Sequence, residues 1–379
     1  MVSSAGRRGY RHLADAFWAE AESFGLPLGT PPVSGPAICE ARRKIKPEHL
    51  KALIQQTAAT FDERFGSALR WRGRRVFAVD GTKINLQRGD DLASHFGVPP
   101  GASCPQMLVS TLFDVISKVP IDVVVGRWAS SERLHLIELL KHLRPGDLLV
   151  LDRGYPSFDL LCQLKATGID FIMRTQATTG FAAVRDFVRR NGDDENILIT
   201  RPKNGSKAIR KDIEVRTING QGPLGVKTVL LTSLPRKQFS RATIGQAYKL
   251  RWEIEEFYKL VKNDYLGQGQ FHSKTPVGIE QEVHAVALFV AITRYLMGAA
   301  AEEHHEPYES LSPKSGILGL ADNIVRLILG ADARSAPEVL GQILRRIIRT
   351  KDPKRPGRLC PRRSYLPTRK WGPHGRYGG

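Results

Sequence analysis

The chain has 379 residues and a formal net charge of +19, from 57 Lys and Arg against 38 Asp and Glu. That length can bury a large core and calls for more than one domain, or a domain with insertions. The charge favours a polyanionic partner, because neutralising phosphates releases condensed counterions, although a ribosome-associated or membrane-surface protein shares the same balance. Cys39, Cys104, Cys162 and Cys360 form no CxxC pair, which argues against a disulfide framework or a structural zinc site and fits a reduced, cytoplasmic chain. No secretory signal is visible, because RHLADAFWAEAE after Arg7 and Arg8 is polar and amphipathic.

In chain order, residues 1–70 read as a helical module. A first helix near 10–25 carries Leu13, Phe17 and Phe24, and GLPLGTPPVSGP breaks it. A second helix starts near Pro47, with Leu50, Leu53, Ile54, Thr57 and Phe61 on one face. Its lead-in, Ala41 to Lys46, is strongly basic. Arg42 and Arg43 are therefore candidate DNA contacts, and packing with solvated charges is the plainer alternative.

From residue 71 to 167 the pattern alternates between strand and helix. RVFAVDGTKINL reads as strand, turn, strand. MLVSTLFDVI and PIDVVVGRW read as a hairpin around Ser117-Lys118, and SSERLHLIELLKHL as a helix capped by Ser130 or Ser131. DLLVLD is a fully apolar strand ended by Asp152. The order strand, hairpin, helix, strand, with acids at strand ends, is by analogy that of an RNase H-like core. Between 168 and 238, DFIMRT, NILITR, KDIEVRTI and VKTVLLTSL are strand-like and separated by turns, which reads as a β-rich insertion. Residues 239–300 return to helix. Val283 to Met297 is the longest apolar run, but His284, Thr293 and Arg294 make it a core helix rather than a membrane span. Residues 301–379 hold a helical region from Ser310 to Ile348 and a basic tail rich in Pro, Gly and Arg, with Arg362 and Arg363 as candidate DNA contacts.

The stretch from Tyr248 to Lys262 is the most informative. On one helix at about 100° per residue, with Tyr248 at zero, Arg251 falls near ~300°, Glu255 near ~340° and Lys262 near ~320°. Leu250, Ile254, Phe257 and Val261 form a separate apolar stripe near ~180–240°. Of three nearby glutamates only Glu255 shares the stripe with the aromatic and the two cations. Taken singly, each residue has a plain structural role: an Asp in a turn, an i,i+4 ion pair, a half-buried Tyr.

The spacing Tyr-x2-Arg-x3-Glu-x6-Lys resembles the YREK motif of bacterial insertion-sequence transposases, the insertion-sequence-four-like branch of the DDE transposases. Asp80 in RVFAVDGTKINL and Asp152 in DLLVLDRGYPSFDLL stand where that family has its other two acids. The resemblance implies an α/β fold with an RNase H-like catalytic core, a β-rich insertion, an N-terminal helical module and a basic C-terminal region. It implies cut-and-paste DNA transposition by two-metal phosphoryl transfer, with Asp80, Asp152 and Glu255 holding two Mg2+ ions for which Mn2+ substitutes. Asp80 would bridge the ions, Asp152 would hold the first and Glu255 the second. Tyr248, Arg251 and Lys262 would hold phosphates near the cleaved transposon end, with Lys274 as a further contact. The implied partners are double-stranded DNA, as terminal inverted repeats and target, and a second copy in a homodimeric synaptic complex; no membrane is implied, and the protein would sit with the nucleoid in the cytoplasm. Family members that form a DNA hairpin stack a flipped base on an aromatic of the insertion, often Trp; here that stretch offers only Phe171, Phe181 and Phe187. Trp252 would pack at the core edge or lie near DNA. His272 and His284 lack a partner at zinc-ligand spacing. An RNase H-like nuclease or resolvase without strand transfer, or a domesticated DNA-binding descendant, are the rival functions.

Overall fold

The first core strand is longer than its sequence suggests, and the rest of the architecture is built on it. The structure is a computed structural model that describes residues 10–23, 25, 33–201, 212–221, 227–262, 271–329 and 336–351. The helices α1 (Tyr10–Ser23), α2 (Gly35–Arg43) and α3 (Pro47–Phe65) precede β1 (Val76–Asn85). There follow α4 (Asp90–Phe96), β2 (Gln106–Asp114), β3 (Val119–Arg127), α5 (Glu132–Leu139), β4 (Leu148–Leu151), α6 (Phe158–Thr167) and β5 (Asp170–Thr175). Next come α7 (Ala182–Arg189), β6 (Asp194–Ile199), β7 (Ile213–Gln221) and β8 (Lys227–Thr232). The chain continues through α8 (Arg241–Lys249), α9 (Trp252–Leu260), α10 (Pro276–Glu303), α11 (Pro313–Leu329) and α12 (Ala336–Arg349).

The described strands form one sheet in the order β3-β2-β1-β4-β5-β8-β7-β6. β1, β4 and β5 run parallel, and β2 and β3 form the antiparallel hairpin expected from the sequence. This mixed α/β arrangement fits an RNase H-like core. The stretch read as an insertion supplies β5 to β8, and all four join the core sheet: β5 beside β4, then β8 antiparallel to β5. Asp80-Gly81 is not a turn. β1 runs straight through it, because β2 pairs with β1 from Phe77↔Asp114 to Asn85↔Gln106. Long-range pairing here overrides the local turn preference of Asp-Gly.

Alternation along β1 divides the core. Val76 and Ala78 join a cluster with Ile254, Phe257 and Val261 of the α9 segment and with Val286 and Val290 of α10. Phe77 and Val79 join the opposite cluster with Leu136 and Leu139 of α5 and Leu161 of α6. By length and composition α10 could cross a bilayer, yet 72% of its most apolar window is buried inside this fold. It packs on α3, α11, α12 and β3.

The N-terminal module differs from its sequence reading in two ways. Leu53 is 45% exposed, and α3 instead buries Ile54, Ala58, Phe61 and Phe65, a stripe spaced by three and four. A helix not expected from the sequence, α2, starts at the end of the segment read as a break and runs into the basic lead-in; it is capped by the Ser34 side chain, with Pro36 in its first turn, where a missing N–H does no harm. Phe24, Gln270, Cys360 and the tail with Arg362 and Arg363 lie outside the described residues.

Candidate active site

Register places the first two acids. The parallel pairing of β1 with β4 ends at Ala78↔Val150, so Asp80 and Asp152 each stand two residues beyond the last pair. They are level with each other where β4 stops and β1 continues. Both follow the alternation of the sheet face that packs on α9. Asp80 is therefore a mid-strand residue exposed by the end of its neighbour, not the last residue of its own strand.

The stripe that should lie on one helix spans two. α8 ends at Lys249 and α9 begins at Trp252, joined by Leu250 and Arg251, which keep right-handed helical dihedrals. Bonds three residues apart, Leu250 N–H to Ala247 and Arg251 N–H to Tyr248, tighten the junction. The four stripe residues still face one region. The Tyr248 hydroxyl donates to Asp152 at 3.4 Å. Arg251 Nη2 donates to Glu255 Oε1 at 2.6 Å. Lys262 Nζ donates to the Thr82 hydroxyl, two residues past Asp80, at 2.6 Å. Ile254, Phe257 and Val261 are buried and Leu250 packs against them, so the apolar stripe faces the core. Trp252 is 43% exposed at the start of α9, on the solvent side rather than in the core edge.

Arg251 is the group the three acids share. It is 8% exposed, bonds Glu255, and its charge acts on both Asp80 and Asp152. Burial alone would lower its pKa, but the Glu255 hydrogen bond and the charges of Tyr248 and Asp152 raise it above its usual value. Burial pushes Asp80 up to about 6, against the opposing pull of Arg251 and of a hydrogen bond from the Gly81 N–H. The charges of Glu132 and Glu255 push the same way as burial. Tyr248 is raised to about 12, first by burial and then by Asp152.

Three residues that the sequence did not single out complete the surroundings. Arg174, on β5, reaches Asp152 at 3.1 Å and shares it with Tyr248. Buried Tyr258 donates to the Asp80 backbone carbonyl at 2.7 Å and so pins α9 to β1 beside the acid. Glu132, at the start of α5, lies against Gly81. Arg174 and Glu132 look like ordinary surface charges in sequence, and only strand order brings them here. Tyr258 could have been read from its place in the apolar run of α9.

The remaining candidates separate. Arg42 is a correction: it is a joint, not a free phosphate contact. Its guanidinium bonds the Gln281 side chain at 2.8 Å, the Tyr10 hydroxyl at 2.9 Å and the Gly278 carbonyl at 2.6 Å, and pairs with Glu282 at 3.0 Å. Arg43 and Lys274 are exposed. Phe171 and Phe187 are fully buried in the core and are not available to stack on a base, again because they face inward from β5 and α7. His284 is buried on α10.

Carboxylate oxygens are hard ligands suited to Mg2+ or Mn2+, and a half-buried Asp80 that burial disfavours as an anion is stabilised by a divalent cation. In donor chemistry the residues fit such an ion. Among the described residues no three Asp, Glu, His or Cys side chains stand close enough to hold one ion together. The Arg251 guanidinium supplies the neutralising charge in this arrangement.

The sheet fits an RNase H-like core, with two acids level at the end of β4 and a cation-bearing helix on the same face. Residues 71–292, more than half of the chain, match the family model described as the transposase DDE domain. The chain belongs to that family. No curated protein matches it. Among solved structures it is similar to the piggyBac transposase synaptic complex with hairpin DNA, at 12% identity and a TM-score of 0.43, over 71% of this chain and 57% of that one. It is also similar to the Mos1 transposase paired-end complex with left transposon end, at 13% identity and a TM-score of 0.19, over 43% of this chain and 56% of that one. The chain thus spans a little over half of each of these proteins, and the family assignment rests on the sequence match.

Proposed function

We propose that this protein is a DNA transposase of the YREK, insertion-sequence-four-like branch, which cuts the ends of its element and joins them to target DNA. The observation that carries the reading is the level placement of Asp80 and Asp152 past the last β1–β4 pair, with Glu255 reaching the same place from α9. Asp80, Asp152 and Glu255 would hold two Mg2+ ions, or Mn2+ in their place. Ions bound there lower the pKa of an attacking water or 3′-OH and stabilise the oxygen that leaves.

The chain's own residues position the DNA. Arg251, now on Glu255, and Lys262, now on the Thr82 hydroxyl, would turn to phosphate oxygens next to the scissile bond. The Tyr248 hydroxyl, now on Asp152, can donate to a neighbouring phosphate. In the first step a water oxygen attacks phosphorus and a 3′-OH leaves; in the second a 3′-OH attacks a target phosphodiester and displaces another 3′-oxygen. Exposed Arg43 and Lys274 and the tail arginines Arg362 and Arg363 would add affinity without reaching the reacting phosphate. A homodimer pairing two ends would provide one such site per end.

The test combines cleavage and binding. Asp80→Ala, Asp152→Ala and Glu255→Ala should each abolish Mg2+-dependent cleavage of end DNA while gel-shift binding persists. Cleavage retained in any one of them removes that residue from the site. Joining of a pre-cut 3′-OH end to a target plasmid separates a transposase from a nuclease or resolvase, which would cut without joining.

A further inference from the structure

The first turn of α5 meets the residues that follow both acids, Gly81 after Asp80 and the loop of Gly154 and Tyr155 after Asp152, from the sheet face opposite α9. Its contacts are specific. A Cβ at Gly81 would lie 2.6 Å from Glu132 Cδ, so the glutamate occupies space that only a glycine after Asp80 leaves open. The same carboxylate accepts the Tyr155 hydroxyl at 3.1 Å, and Tyr155 is 1% exposed. The Tyr155 N–H in turn donates to the Asp152 carbonyl at 3.2 Å. The neighbouring Arg133 donates to the Gly154 carbonyl at 2.9 Å, holding the same loop.

A glutamate in the first turn of a helix is ordinary, because the helix dipole favours an anion there. That preference does not explain why this one turns inward, toward a second carboxylate. Like charges drawn together in a half-buried place repel unless a cation is shared, and a flexible glutamate side chain has solvent as an easy alternative. Glu132 is instead held against Gly81 by Tyr155, on the edge of the gap where β4 ends.

We propose that Glu132 is a positioning residue of the carboxylate site: tied through Tyr155 to the Asp152 loop and seated on Gly81, it fixes the spacing of Asp80 and Asp152 and adds negative charge that strengthens cation binding. This rests on the reading of Asp80 and Asp152 as metal ligands. Glu132 itself acts through its neighbours.

The experiment is Mn2+ titration of the full chain without DNA, by calorimetry, with thermal melts of every variant. Glu132→Gln keeps an acceptor for Tyr155 and removes the charge; Tyr155→Phe keeps the charge and removes the tether. Each should weaken Mn2+ binding by about tenfold at an unchanged melting temperature, the low end of what loss of a supporting residue costs a metal site. Asp80→Asn is the control and should abolish binding at this site. Binding within twofold of wild type in Glu132→Gln and Tyr155→Phe, with Asp80→Asn still defective, overturns the role of Glu132 and leaves the metal-site reading standing. If Glu132→Gln does not fold, Tyr155→Phe decides alone by the same threshold. Undiminished binding in Asp80→Asn overturns the metal-site reading, and this proposal with it.

Discussion

Removing Arg251 should destabilise the metal-free protein, and a divalent cation should largely restore it. Arg251 is buried, bonded to Glu255 at 2.6 Å, and acts on Asp80 and Asp152. Breaking a fully buried pair costs about 3–5 kcal/mol, because the remaining charge is left without compensation. Here the Glu255 side chain is 29% exposed, so water recovers part of that loss. Asp152 also keeps Arg174 at 3.1 Å. A net loss of ~2 kcal/mol follows for Arg251→Met, which preserves side-chain bulk; in a chain of this size that is a fall of roughly 2–3 °C in melting temperature. Arg251 competes with the ion in the wild type, so Mg2+ at ten times its dissociation constant for the variant returns about 1.4 kcal/mol to the variant and much less to the wild type. The melting deficit of Arg251→Met measured in EDTA should therefore shrink by at least half in Mg2+. An equal deficit in EDTA and Mg2+ would show that Arg251 does not stand in for the cation, and its place at the centre of the acids would lose its electrostatic explanation.

Other predictions follow from the same contacts. Asp114 is buried, raised to about 6 chiefly by burial, and accepts the Ile116 and Ser117 N–H groups in the β2–β3 turn. A folded-state pKa above the unfolded value means stability falls as pH rises from about 4 to about 6, by up to ~3 kcal/mol for two units. Asp114→Asn, which keeps the acceptor, should match wild type at pH 4 and be more stable at pH 7; identical pH–melting curves would refute this. Arg42→Met should lower stability by ~3 kcal/mol, since Glu282 loses a buried partner, without changing DNA affinity of the folded fraction, as shown by denaturation and gel shift. Arg43→Ala should do the reverse, leaving melting unchanged and reducing the slope of log K against log[salt] by about one phosphate contact. Glu256→Ala should be nearly silent in cleavage, because Glu256 faces solvent with Lys259 and Trp252 while Glu255 faces the acids; damage equal to Glu255→Ala would remove Glu255 as the third acid. Deleting residues 352–379 removes eight Lys or Arg and one Asp, and should lower the salt slope of DNA binding; an unchanged slope would dismiss the tail as a phosphate contact.

The features legible in the sequence are those set by short-range periodicity. The hairpin around Lys118, the apolar β4 and the two stripes on the α8–α9 segment could be read because each depends on neighbours a few residues away. What was not legible depends on partners far along the chain. Asp-Gly reads as a turn until β2 pairs across it. Residues 168–238 read as a β-rich insertion, and nothing local says that β8 will pair with β5. Arg42 and Arg43 are adjacent and alike in composition, yet only Arg42 meets Glu282, some 240 residues later in the chain. Glu132 carries no local mark at all, because its role depends on Gly81 and Tyr155 arriving from two other elements.

The geometry of the acids is fixed by the sheet rather than by the residues around them. Asp80 and Asp152 are level because both follow the same terminal pair, Ala78↔Val150, so neither can slip without moving a buried strand. Glu255 comes from a helix anchored on one face by Ile254 and Phe257, and Glu132 from a helix anchored on the other by Leu136 and Leu139. Each acid is thus placed by a different patch of core, and their mutual repulsion is opposed by packing on both sides of the sheet. Such a site tolerates the closeness of negative charges that a flexible loop would relieve by moving apart. Arg251, held by Glu255 rather than by the sheet, is the part of this arrangement that the proposed metal ions would displace. Rigid acids with an exchangeable internal cation are what a metal-dependent site requires if it is to remain folded before its ions and DNA bind.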